Sequence, residues 1–199
     1  MVTRLETALA MVVVASCAQP IAPTAPRSAP ASWPVPAGWR SEVIPFPLDF
    51  APSLAHRGVE EIRFAPGFFD PAAAGYWSYT FVWRLDEPAM LDATAVAGEL
   101  TTYFRGLIDA VDEKHEIGDR DSIVARATPE ASRFALSAHV IDAFKTKQPL
   151  DLAGTAVRRA CPNGALWVFV LAPTATTLRS DLDALAARAM CDQHPVTSK

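Results

Sequence analysis

The side chains able to do chemistry are few and scattered. The chain has 4 histidines and 3 cysteines. His115-Glu116-Ile117-Gly118-Asp119 comes nearest to a metal motif. In H-E-x-x-H, two histidines one helical turn apart hold zinc and the glutamate acts as a base. Here the second histidine is Asp119, and Gly118 disfavours the helix that would align the ligands. With Asp109, Asp112, Glu113 and Asp121 nearby, a loose cation site is conceivable, but a solvated helix end is the simpler reading. Ser137, His139 and Asp142 are close in sequence, yet strand alternation turns Asp142 away from the other two. No G-x-S-x-G nucleophile elbow is present. His56, with Asp49, Glu60 and Glu61 around it, could line a cleft between the first strands. His56 and Glu60 are therefore the candidate ligand site, weighed against an ordinary exposed loop histidine. No phosphate-cradling glycine loop appears, and neither a cofactor nor a metal centre is expected.

The elements that would position these groups centre on Tyr76–Leu85. Trp77, Tyr79, Phe81, Trp83 and Leu85 point one way with period two, and Tyr76, Ser78, Thr80, Val82 and Arg84 the other. This predicts a strand with an aromatic core face and a mostly wet face. The aromatic stripe could stack on a sugar or a lipid, but the helix that follows needs a surface to pack on. Val43–Phe50 alternates, and its two prolines make it an edge strand. Gly58–Ala65 should turn Ile62 and Phe64 inward and Glu61 and Arg63 outward. Phe68–Gly75 reads as a loop with two exposed aromatics, Phe68 and Phe69.

Asp92–Val111 carries a wide apolar stripe at steps of three and four and reads as a helix. Gly98 and Gly106 would let it lie close to the sheet. Strands are expected over Ser122–Ala127, Arg133–Ala143, Leu150–Cys161 and Ala165–Ala172, the last apolar on both faces. Thr177–Cys191 completes the pattern as a second helix. The order implies a single α+β domain, a largely antiparallel sheet of six or seven strands with two packed helices. The sides they occupy are left open. The net charge of −4, without a basic patch, argues against nucleic acid as a partner.

The front of the chain has a different character. Arg4 precedes an apolar run, Ala8–Ala15, of signal-peptide length and too short to span a bilayer. Val14-Ala15-Ser16-Cys17 follows. This resembles the lipobox of bacterial lipoproteins: an aliphatic residue, two small residues and a cysteine. The resemblance covers the leader alone. It implies cleavage after Ser16, lipidation of Cys17 and anchorage in the cell envelope. Ala18 in place of Asp then points to the outer membrane, with the domain in the periplasm. Residues 1–16 would be the signal peptide. Residues 17–38, with prolines every few positions, would be an extended tether. Trp39 marks the start of the ordered domain, 39–193, and 194–199 form a tail.

With Cys17 assigned to lipid, Cys161 and Cys191 remain, in an oxidising compartment. A strand of about eight residues spans roughly 26 Å. A helix of about fifteen returns roughly 22 Å. Cys191 would thus come back to Cys161, which predicts a disulfide. A metal site built from these cysteines and His194 lacks enough convergent ligands. The reading is a non-enzymatic envelope lipoprotein, a tethered binding or assembly module that takes a protein or ligand at the membrane, with an envelope protein as the expected kind of partner. A small periplasmic hydrolase or cation-dependent enzyme, and a hydrophobic-ligand carrier, are the alternatives.

Overall fold

The computed structural model describes residues 32–193 except 113, 115 and 118. The expected signal peptide, Cys17, most of the tether, Glu113, His115 and the 194–199 tail lie outside the described residues.

Alternating apolar positions build one sheet. Its strands are β1 (Arg40–Pro45), β2 (Gly58–Phe64), β3 (Tyr79–Leu85), β4 (Val124–Glu130), β5 (Arg133–Ile141), β6 (Pro149–Cys161) and β7 (Gly164–Pro173). They pair antiparallel throughout in the order β1-β2-β3-β7-β6-β5-β4, as expected of an α+β domain. β1 and β4 are the edges. Helix α1 (Ala93–Val111) covers one face, and α2 (Arg179–Ala187) covers β3 and β7 on the other. No helix among the described residues is long and apolar enough to cross a membrane.

On the α1 side, Tyr79, Phe81 and Trp83 of β3 meet Trp167 and Phe169 of β7 and the α1 stripe of Val96, Leu100, Tyr103, Phe104 and Ile108. Asp92 caps α1, accepting from the Ala95 amide at 2.8 Å. Gly106 does allow a close approach, but to a loop. A Cβ there would lie 2.1 Å from the Phe50 carbonyl oxygen.

The second face departs from expectation. Ser78, Thr80 and Val82 are buried, and so are Glu61 and Arg63. The cover is α2 together with Trp33, from the segment read as tether. Trp33 is fully buried, and its indole donates to the Leu185 carbonyl at 3.0 Å. Its ring lies over the Arg63 guanidinium at 4.3 Å. Ordered packing therefore begins before Trp39. Burying Arg63 requires its charge and donors to be met. Glu61 supplies the counter-charge and bridges Arg63 to Arg84, and the Trp33 and Pro34 carbonyls accept from Arg63.

Three boundaries also shift. β1 stops at Pro45; the Phe46 amide still bonds the Gly58 carbonyl, and the chain then turns away through a bridge of Leu48 with Ala51. The aromatic strand begins at Tyr79, since Trp77 has a φ of 47° and leaves the extended region. α2 ends at Ala187. Beyond it, Arg159 takes the Ala187 and Ala189 carbonyls and Arg84 takes that of Met190. Cys191 then joins Cys161 across a Cα–Cα distance of 5.5 Å, the bridge the spacing predicts.

Candidate functional site

His56 sits in the β1–β2 connection, but its partners are not those nearest in sequence. Nδ1 lies 2.8 Å from Glu87 Oε1 and Nε2 lies 3.1 Å from Glu99 Oε2. The Glu99 hydrogen bond raises the imidazole pKa, burial lowers it, and Glu87 restores the net upward direction. Both nitrogens are engaged, so neither is free to take a proton from a substrate. The carboxylates lie on opposite edges of the ring and cannot share one metal ion with it.

Glu60 lies one aromatic ring away. Its Oε1 accepts from the Trp83 indole at 3.1 Å, while Oε2 is buried without a hydrogen-bond partner. Desolvation pushes this carboxyl up to about 8, with the Trp83 bond pulling the other way. The structure sets both candidates against Trp83, with the His56 ring 6.0 Å from the indole ring and Glu60 on the indole nitrogen. No hydrogen bond joins the two, since the His56 nitrogens are taken by Glu87 and Glu99.

The other candidates separate. His139 pairs with Asp151 at 2.7 Å, across the β5–β6 ladder. Asp112 accepts from the Glu116 and Ile117 amides, and Arg120 bridges it to Asp109. The acidic segment is thus closed by its own chain. No cluster of three potential metal ligands occurs among the described residues. A shallow cleft of about 730 Å³ flanks the disulfide, but the guanidinium groups facing it, Arg84 and Arg159, already bond chain carbonyls.

The carrier alternative calls for a cavity between sheet and helix, and the structure has an apolar one of about 260 Å³ on the α1 side, whose place and lining the sequence did not indicate. Its floor is the end of the sheet, Ile62 and Phe64 of β2 and Tyr79 of β3. Tyr103, Leu107 and Val111 of α1 form its roof. The 68–77 loop and the 142–148 loop close one end with Phe68, Phe69, Trp77 and Phe144. Phe68, expected to be exposed, is buried in this wall, and Phe69 is half-buried. Glu42 and Ile44 of β1 and Ala110 of α1 reach the rim. A lining this apolar, with so few polar groups, suits binding rather than bond-making.

Asp142 holds the two wall loops together. Its carboxylate accepts from Tyr76 Oη at 2.6 Å and Trp77 Nε1 at 3.1 Å in one loop. In its own loop it accepts from the amides of Phe144, Lys145 and Thr146 and from the Thr146 hydroxyl. Burial alone would raise its pKa. The Tyr76 and Thr146 bonds more than offset that and hold it at about 2. Positive φ angles at Trp77 (47°) and Lys147 (56°) fall in the same two loops. Such backbone persists where surrounding contacts over-determine it. A run of local turn bonds after Asp142 is a signal that Asp-Ala-Phe-Lys-Thr could have given. The Tyr76 and Trp77 partners are far away in sequence and gave none.

Compared with known proteins, the chain matches no family model, no curated protein and no solved structure at a significant level.

Proposed function

We propose that this chain is a non-enzymatic binding module of the bacterial cell envelope, held there by lipid on Cys17, whose cavity receives an apolar group. The observation that carries the binding role is the aromatic-lined cavity beneath α1. At about 260 Å³ it is near the lower end of small-molecule sites. A cavity of about 150 Å³ already accepts benzene. The occupant is therefore one ring system or a short aliphatic segment. The engaged nitrogens of His56 favour this reading over hydrolysis. Naphthalene is a suitable probe. Its addition should shift the NMR signals of Phe64, Tyr79 and Leu107, and Ala110→Trp at the rim should abolish those shifts. Unchanged spectra at saturating naphthalene would end the cavity reading. Cys17→Ser should release the protein from the membrane fraction; retention of a processed chain would refute the anchor.

A further inference from the structure

The cavity opens beside β1, and β1 has a free side. It is the last strand of the sheet, and no other described element pairs with it. The Phe46 amide donates to the Gly58 carbonyl at 2.9 Å, and the register continues with Ile44 opposite Glu60 and Glu42 opposite Ile62. Backbone groups alternate in direction along an antiparallel strand. The even-numbered residues therefore spend theirs on β2. The N–H and C=O groups of Ser41 and Val43 point outward. Pro45, with no N–H, ends this open run after a few residues, as suits an edge protected from indiscriminate pairing.

The side chains of Arg40, Glu42 and Ile44 alternate onto the cavity side. Glu42 and Ile44 line the rim. Arg40 lies over the Phe69 ring at 5.1 Å, and Phe69 is part of the cavity wall. Neither Arg40 nor Glu42 has an ion-pair partner among the described residues. Two opposite charges thus stand two residues apart on an exposed strand, next to an apolar hole. Strand-addition sites have this form, with backbone groups supplying affinity and pockets for alternate side chains supplying selectivity.

We infer that an extended segment of a partner protein adds to β1 as an antiparallel strand and places an apolar side chain in the cavity. The charges define the rest of the segment. A basic residue sits opposite Glu42, an acidic residue opposite Arg40, and the apolar residue opposite Ile44. Because Ser41 and Val43 form the hydrogen-bonded pairs, the intervening pairs are the close, non-hydrogen-bonded kind. Their side chains approach most nearly. This inference rests on the cavity reading and names its occupant.

The test uses the full chain in lipid nanodiscs and a capped peptide containing Phe-Val-Lys-Thr-Glu, which runs antiparallel from Ile44 to Arg40. Binding is read by calorimetry and by exchange protection of the Ser41 and Val43 amides. The peptide should bind and protect both amides. Ser41→Pro removes an outward donor and obstructs the added strand. It should weaken binding about tenfold while leaving naphthalene binding unchanged. Exchanging Lys and Glu in the peptide should weaken it several-fold, and the Arg40→Glu, Glu42→Lys protein should restore it. Naphthalene binding without peptide binding would overturn strand addition and leave the cavity reading standing. Failure of both probes would remove both. Peptide binding that ignores Ser41→Pro would overturn strand addition. So would a doubled mass that Ser41→Pro abolishes, because β1 would then be occupied by a second copy of this chain.

Discussion

Asp142→Asn tests whether one carboxylate organises the cavity wall. The native group is ionised and accepts from six donors in two loops. Its carboxyl is held at about 2 against an ordinary 3.8. At about 1.4 kcal/mol per pH unit, the ionised form contributes roughly 2 kcal/mol to folding. Asparagine loses the charge and also turns an NH₂ group toward donors. That adds an unsatisfied-group cost of about 1–3 kcal/mol. The loss near neutral pH should therefore be about 3–5 kcal/mol, measured by urea unfolding of the purified full chain. The sign with pH follows from the depressed pKa. The charge contribution is complete above pH 3.8 and disappears as pH falls through 2. The gap between the native chain and the variant should accordingly narrow by about 2 kcal/mol between pH 5 and pH 2. Naphthalene affinity should fall as well, since Trp77 and Phe144 lose their common support. A gap below 1 kcal/mol at neutral pH, or one that does not change with acid, would refute the reasoning.

Three further outcomes are expected. Replacing Cys161 and Cys191 together by alanine opens a loop of sequence separation 30; the loss should be about 3–4 kcal/mol in thermal or urea unfolding under oxidising conditions. Trp33→Ala leaves Arg63 uncovered and deletes a fully buried indole, at a cost of about 3–5 kcal/mol, and limited proteolysis should then cut between Trp33 and Trp39. Glu60 has a folded pKa raised to about 8, so its contribution is complete below pH 4.5 and is lost as pH rises through 8. Glu60→Gln should therefore unfold at a higher midpoint than the native chain at pH 8, and the two should converge near pH 4.5.

The parts of the fold legible in the sequence are those governed by local periodicity. β3, β7 and α1 each bury a stripe that recurs at two or at three and four residues, and the amino-acid types follow it. The disulfide was legible because strand and helix rises fix where a chain returns. The second sheet face was legible at β7, which is apolar on both sides, but not at β2 and β3. Glu61 and Arg63 alternate with apolar residues as exposed charges do, and it takes α2 together with Trp33, from a proline-rich stretch, to turn that face into an interior. The His56 environment was hidden for a related reason. Glu87 and Glu99 are 31 and 43 positions away, and the nearer acids, Glu60 and Glu61, are taken by Trp83 and by arginines. The cavity is a void between elements, and a void has no residues of its own to read.

The chain of contacts from Trp33 through Arg63, Glu61 and Arg84 ends on the Met190 carbonyl and Gln193. Both boundaries of the described fold are thereby fastened to a single buried ionic line on the α2 side. The sheet acts as a partition: fastening is on one side and the aromatic cavity is on the other. A reporter or solid support attached near either boundary should therefore leave occupancy of the cavity unaltered.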